Sequence, residues 1–229
     1  MSALRNAVLL DVDGTLLDSN DAHAETWSRA LRQAGYDVPF ARLRPLIGMG
    51  GDRILREVAG LDHKSAAGKS IAKCRTEMFL SEYLPRLAPT PGARALVEVL
   101  RARGLKIVVA TSASEEELGA LLRAAGVADL IEAASKKDDA KTSKPAPDIV
   151  EAALQKAGVP PERAFMIGDT PYDCEAARRA RVTIVAVRCG GWSDERLDAA
   201  AVYDDPADLL AHLDRSPAAR LLATGAAAS

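Results

Sequence analysis

Asp11 and Asp13 stand two residues apart where the apolar run Ala7 to Leu10 breaks off into Asp11-Val12-Asp13-Gly14. That spacing sets two carboxylates beside each other at the exit of a buried strand, and Gly14 lets the backbone turn sharply. Carboxylates this close need a cation or a shared proton. Alone, such a turn reads first as a solvated loop, so other acids must decide. Asp169 leaves a second apolar run, and Asp173 follows four residues later at a helix start, where both can face one pocket. Thr170-Pro171-Tyr172-Asp173 also reads as a helix cap, and for Asp173 the two roles can coexist. Acids clustered without His or Cys at ligand spacing favour a hard cation, Mg2+ before zinc. Thr111-Ser112 adds a hydroxyl and backbone NH groups, and Lys144 adds a point cation. A hydroxyl, an ammonium and a metal together suit a phosphoryl group.

These residues need a scaffold that delivers them to one place. Five apolar runs end in polar residues: Ala7 to Leu10, Leu105 to Ala110, Leu130 to Ala134, Ala164 to Ile167 and Val182 to Val187. Helical patterns lie between them at Pro91 to Arg103, Ser114 to Ala125, Pro147 to Ala157 and Pro171 to Ala180. The alternation specifies an α/β fold with a doubly wound parallel sheet, whose ligand site lies beyond the carboxyl ends of its strands. From about Asn20 to Leu87 the alternation stops. Helix-period segments at Asp21 to Ala34, Asp52 to Ala59 and Lys64 to Tyr83 read as an all-helical insert, hinged at Leu16 to Asn20 and Pro85 to Pro91. Ser216 to Ser229 is Ala-rich and reads as a disordered tail.

Composition narrows the partners. The 229 residues carry 30 Lys+Arg against 32 Asp+Glu, a net charge of -2, with 48% hydrophobic residues. An ordinary globular balance excludes collagen, coiled coil and wholesale disorder, and offers no general field for nucleic acid or an anionic membrane. No apolar run approaches the roughly 18 residues of a membrane span, and the first residues lack a signal-peptide pattern, so a cytoplasmic location is expected. Cys74, Cys174 and Cys189 are widely spaced and odd in number, which argues against disulfides or a thiolate metal site and reads as small buried hydrophobes.

Asp11-Val12-Asp13-Gly14-Thr15-Leu16, Thr111-Ser112, Lys144-Pro145-Ala146-Pro147-Asp148 and Gly168-Asp169-Thr170-Pro171-Tyr172-Asp173 occur in that order. Together they resemble the signature of the haloacid dehalogenase (HAD) superfamily of phosphohydrolases with a helical C1 cap, over roughly residues 7–213. The resemblance implies a core of residues 1–19 and 88–215, a cap of 20–87 and a tail of 216–229. It implies that Asp11 attacks phosphorus to form an aspartyl phosphate, and that Asp13 protonates the leaving oxygen and then activates water. Asp11, the backbone carbonyl of Asp13, and Asp169 would hold Mg2+, with Asp173 helping directly, through water or by positioning Lys144. Thr111, Ser112 and Lys144 would bind the phosphoryl oxygens. Ser143 replaces a glycine common in relatives, and Lys141 is a weaker candidate for the lysine role.

Other chemistries on this scaffold fit less well. True dehalogenases lack the second aspartate present here as Asp13. Phosphonoacetaldehyde hydrolases need a cap lysine, and the matching region carries Arg53, which forms no Schiff base. Asp18-Ser19-Asn20-Asp21-Ala22-His23 through Trp27 resembles the cap start of β-phosphoglucomutases, but their basic cap loop is replaced by Gly48-Met49-Gly50-Gly51. That loop reads as either a mobile specificity element or a glycine-rich helix entry. His23, Gly50, Gly51 and Arg53 are the candidate cap contacts, His23 either toward substrate or Asp13, with a packing role as its alternative. Response-regulator receivers share the acids, hydroxyl and lysine but are half this length and lack the insert. The expectation is therefore a Mg2+-dependent phosphatase for a small phosphorylated metabolite, a phosphate monoester of phosphoglycolate or sugar-phosphate type. The alternatives are a phosphosugar mutase and a catalytically silent relative. Neither the substrate nor the oligomeric state is legible.

Overall fold

The structure, a computed structural model, describes residues 5–222. Its strands are β1 (Ala7–Leu10), β2 (Lys106–Ala110), β3 (Ala133–Ser135), β4 (Ala164–Gly168), β5 (Thr183–Val187) and β6 (Ala201–Tyr203). Helices α1 (Asn20–Gln33), α2 (Phe40–Leu43), α3 (Gly51–Ala59), α4 (Ala66–Met78) and α5 (Ala93–Ala102) separate β1 from β2. Later come α6 (Glu115–Ala124), α7 (Asp148–Ala157), α8 (Pro171–Arg179), α9 (Pro206–Ala211) and α10 (Ala219–Leu222). The strands form one sheet in the order β3-β2-β1-β4-β5-β6, with every pairing parallel. The α/β class with a doubly wound sheet is thereby observed.

Alternation along the strands builds a core on each face. Val8, Leu10, Ile107, Val109, Phe165 and Ile167 meet α5, α6, α9 and α10 on one side. Ala7, Leu9, Val108, Ala110, Ala164 and Met166 meet α7 and α8 on the other. β1 is central and fully buried, which explains why Ala-Val-Leu-Leu shows no polar face. The inserted helices gather around a third cluster that includes Trp27, Leu31, Leu43, Ile54, Leu55 and Ile71. The segments entering and leaving the insert are tied to each other, Asp18 N donating to Ala88 O at 3.1 Å and Thr90 N to Leu16 O at 3.1 Å. No helix among the described residues is long and apolar enough to cross a membrane.

Several expectations need correction. The third strand begins at Ala133 rather than Leu130, because Leu130 N closes a turn onto Val127 O at 2.9 Å and its side chain is buried from that turn. The helix expected from Pro91 begins at Ala93, since Gly92 at its N-cap has φ +73°. The last inserted helix starts after Ser65, whose hydroxyl accepts from Gly68 N, and from Phe79 to Tyr83 it widens into a π turn. β6 was unforeseen, being a three-residue edge strand. Residues 216–222 are not a loose tail: Ala218, Leu221 and Leu222 are buried in the sheet core, and Asn6 Nδ2 donates to Leu221 O at 2.8 Å. The rest of the expected tail lies outside the described residues. Cys174 is buried as expected, whereas Cys74 and Cys189 are only partly so.

Candidate active site

β1 and β4 are neighbours, and the strand order reverses between them. This switch point opens a crevice beyond their carboxyl ends, into which β1 delivers Asp11 and β4 delivers Asp169. Asp173 joins them from the first turn of α8. One carboxylate oxygen from each of these three buried acids lies within 4.8 Å of the others. Lys144, only 1% exposed, places Nζ 2.6 Å from Asp11 Oδ1 and 2.7 Å from Asp173 Oδ1. Asp173 also caps its helix, Oδ2 accepting from Thr170 N at 3.1 Å and Thr170 Oγ1 at 2.6 Å. Both readings of that residue are realised at once. Asp169 Oδ1 accepts from Thr15 Oγ1 at 3.0 Å, and its Oδ2 from Asn20 Nδ2 at 2.8 Å.

One ammonium does not balance three buried carboxylates. Burial lifts the Asp11 carboxyl well above the usual range against the pull of Lys144, and the charges of Asp173, Asp169 and Asp13 add to the rise. Burial and the charge of Asp173 likewise push Asp169 up to about 7. The Lys144 ammonium is also raised above its usual value: its burial, which would lower it, is outweighed by Asp11 and Asp173, which hold it charged. The donor set is all oxygen, and burial pushes the nearby Cys189 thiol up to about 12, far from thiolate. A hard divalent cation fits both the charge deficit and the ligand chemistry.

Asp13 stands apart from that cluster. Its Oδ1 accepts from Ser19 Oγ at 2.6 Å and lies 2.7 Å from His23 Nε2. Burial opposes its charge, but His23, Ser19 and Arg75 outweigh it and bring the carboxyl down to about 2. His23 stacks on Phe79 with ring centroids 4.1 Å apart, and its Nδ1 meets Arg75 Nη2. A guanidinium only donates, so Nδ1 accepts and Nε2 carries the proton given to Asp13. Arg75 Nη1 in turn pairs with Glu117 Oε1. The chain Asp13, His23, Arg75, Glu117 thus runs from β1 through the inserted helices to α6.

Arg75 and Glu117 escaped the sequence reading. Arg75 looks like one more cation on a helix surface, and the Ser114 to Glu117 spacing looks like a simple capping box. Ser114 Oγ does accept from Glu117 N, but the Glu117 carboxylate turns to Ser114 Oγ at 2.9 Å and to Arg75. Its burial is outweighed by Arg75 and His23, which lower its pKa. Glu117→Ala should strand a buried guanidinium and destabilise the protein by about 3 kcal/mol, read by denaturant unfolding. An unchanged unfolding midpoint would show that this pair carries no stability.

The remaining candidates divide by position. Thr111 is buried at the end of β2, and its Oγ1 accepts from Ala113 N at 3.1 Å, keeping its proton to donate. Asp11, Asp13, His23, Gly51, Thr111, Ser112 and Lys144 line one cavity of about 330 Å3, together with Trp27, Arg75 and Glu117. Gly50, Arg53 and Lys141 are not in that lining. Lys141 is exposed on the surface. Arg53 Nε instead donates to Ser143 O at 3.1 Å, and Ser143 Oγ donates to Asp52 Oδ1. A Cβ at Gly50 would overlap the Ser143 side chain. The glycine loop is therefore a docking point for the lysine loop, and Ser143, the one departure from the motif, is what it docks on.

With this geometry in place, three comparisons are informative. The phosphoglycolate phosphatase of Rhodospirillum rubrum is 34% identical over 214 residues, covering 89% of this chain and 88% of that protein. The fructose-1-phosphate phosphatase YqaB of Escherichia coli is 28% identical over 183 residues, covering 79% of this chain and 95% of that protein. The crystal structure of a hydrolase from Pseudomonas syringae superposes with a TM-score of 0.85 at 30% identity, covering 92% of this chain and 99% of that one. Residues 6–181 match the sequence profile of the haloacid dehalogenase-like hydrolases, and the chain belongs to that family.

Proposed function

We propose that this hydrolase is a Mg2+-dependent phosphatase acting on a small phosphate monoester through an aspartyl phosphate on Asp11. The observation that carries the reading is the pair of carboxylates just past β1, two residues apart and facing one cavity, one of them bound to Lys144 and the other to His23 and Ser19. Asp11 is held up by burial among acids, and Asp13 is held down by His23 and Ser19. What suits them to different roles is their partners: Asp11 sits with Lys144 and the acidic cluster, where a bound cation would keep it ionised, and Asp13 sits with His23 and Ser19, set apart from that cluster.

In the proposed reaction Asp11 attacks phosphorus in line with the leaving oxygen, splitting one difficult displacement into two easier ones. Thr111 Oγ1, the backbone NH of Ser112 and Lys144 Nζ bind the oxygens where charge accumulates. Asp13 hands a proton to the leaving group and then takes one from the water that cleaves the acyl phosphate. An arriving phosphoryl anion raises the proton affinity of Asp13, which His23 otherwise keeps ionised. Asp11, Asp169, the Asp13 carbonyl and Asp173 would hold Mg2+, whose bound charge neutralises the phosphoryl group and lets Asp11 act as an anion.

Residues 20–87 would serve as the cap and residues 1–19 and 88–215 as the core, with the substrate enclosed between them. A cavity of about 330 Å3 suits a small phosphorylated metabolite of the phosphoglycolate or sugar-phosphate kind. His23 and Gly51 remain cap contacts in this reading, whereas Arg53 and Gly50 hold the cap to the lysine loop. A mutase needs a free cap cation for a distal phosphate. Arg75, a buried cap cation of this cavity, is engaged by Glu117 and His23, whereas Lys64 and Lys69 also line the cavity from the cap, so a phosphosugar mutase is the second reading. Three unpaired cysteines suit a reducing, cytoplasmic setting.

The test is phosphate release from phosphoglycolate, sugar phosphates and simple monoesters, with Mg2+ and with EDTA. Release that disappears with EDTA and returns with Mg2+ is expected. Equal release under both conditions would refute the metal dependence, and release from none would shift the reading to a mutase or a silent relative.

A further inference from the structure

Asn20 is the first residue of α1, and its side chain points away from the inserted helices into the acidic cluster. It is 2% exposed. Its Nδ2 donates to Asp169 Oδ2 at 2.8 Å and to Gly190 O at 3.2 Å. The orientation of the amide follows from these partners, since a flipped amide would set oxygen against two acceptors. The other end of the amide is different. Asn20 Oδ1 is buried and has no hydrogen-bond partner among the described residues. A buried acceptor left without a donor keeps its full desolvation penalty, so its retention calls for a donor.

The surroundings are shaped around this contact. Gly14 lies against Asn20 and Asp169, and a Cβ on Gly14 would overlap Asn20 Nδ2 and Asp169 Oδ2. Gly190 lies against Asp169, and a Cβ there would overlap the same Oδ2. Two glycines from different loops thus leave room for one amide and one carboxylate. Gly190 O also accepts from Arg44 Nη2 at 2.6 Å, which adds a second tie from the insert to this loop.

We infer that Asn20 is a positioning residue for the divalent cation: Nδ2 fixes the rotamer of Asp169, and Oδ1 accepts from a water carried by the ion. The inference rests on the metal reading above and deepens it. It assigns to the first residue of the insert a share in the cation's outer shell, so cation binding and the seating of α1 support each other. The ion's water would supply the donor that Oδ1 lacks, and Nδ2 supplies the fixed carboxylate that the ion requires. Outer-shell partners of this kind are worth about 10–100-fold in metal affinity.

The experiment is calorimetric titration of Mg2+ alone into metal-free wild type, Asn20→Leu, Asn20→Ser and Asp169→Asn proteins. Circular dichroism and melting without metal identify which variants are folded. Asn20→Leu preserves volume and removes both polar atoms, and Asn20→Ser is the smaller substitute should leucine disturb the fold. Mg2+ affinity is expected to fall about 10–100-fold in the folded Asn20 variants and to vanish in Asp169→Asn. Wild-type affinity in a folded Asn20 variant would overturn the inference and leave the metal reading standing. Absence of Mg2+ binding by wild type would overturn both.

Discussion

Asp11→Asn is expected to abolish turnover, with a loss on the order of 10^6-fold, as when a covalent nucleophile is removed elsewhere. An amide oxygen is not a competent nucleophile toward phosphorus at neutral pH. The substitution is nearly isosteric and removes one carboxylate from a crowded, buried set, while Lys144 keeps Asp173 as its partner at 2.7 Å. The fold should therefore survive, and a melting temperature at or above that of wild type would show that lost activity is not lost structure. Wild-type turnover by pure Asp11→Asn protein would remove Asp11 from the mechanism.

Asp13→Asn should cost about 10^2–10^4-fold, the usual worth of a positioned acid or base. The amide oxygen still accepts from His23 Nε2 and Ser19 Oγ, so the polar chain through Arg75 to Glu117 keeps its geometry. The backbone carbonyl of Asp13 is untouched, so Mg2+ affinity should be unchanged, which separates loss of proton transfer from loss of metal. Both halves of the reaction slow, the second most where an activated leaving group replaces the alcohol, because only water then depends on Asp13. A burst of one leaving group per site followed by slow release is the expected rapid-mixing trace. Rapid steady turnover without a burst would refute the acid/base assignment.

What was legible in the chain and what was not follows a physical division. Strand exits are readable because a buried parallel strand is a short apolar run, and the polar residue that ends it must lie at the strand's carboxyl end. Such exits place Asp11, Thr111 and Asp169 at one end of the sheet, and the structure brings Asp11, Asp169, Asp173 and Lys144 together there. The helical insert was readable because it interrupts that alternation. Side-chain direction within the insert was not. Arg53 carries the same charge as Arg75, but one docks on Ser143 O and the other lies in the cavity, a difference set by packing around Trp27 and Phe79. Asn20 looked like a hinge residue because its partners, Asp169 and Gly190, are roughly 150 and 170 positions away. Leu221 and Leu222 were misread because two leucines in an Ala-rich stretch show no period, although the sheet core accepts them.

The most direct test of the central claim is capture of the phosphoenzyme. Asp13→Asn protein, incubated with Mg2+ and a phosphate-labelled monoester and quenched in acid, should hold up to one label per chain. Hydroxylamine should release it, and peptide mapping should place it on Asp11. Label on another residue, or steady hydrolysis with no label trapped at any time, would contradict a mechanism that passes through Asp11.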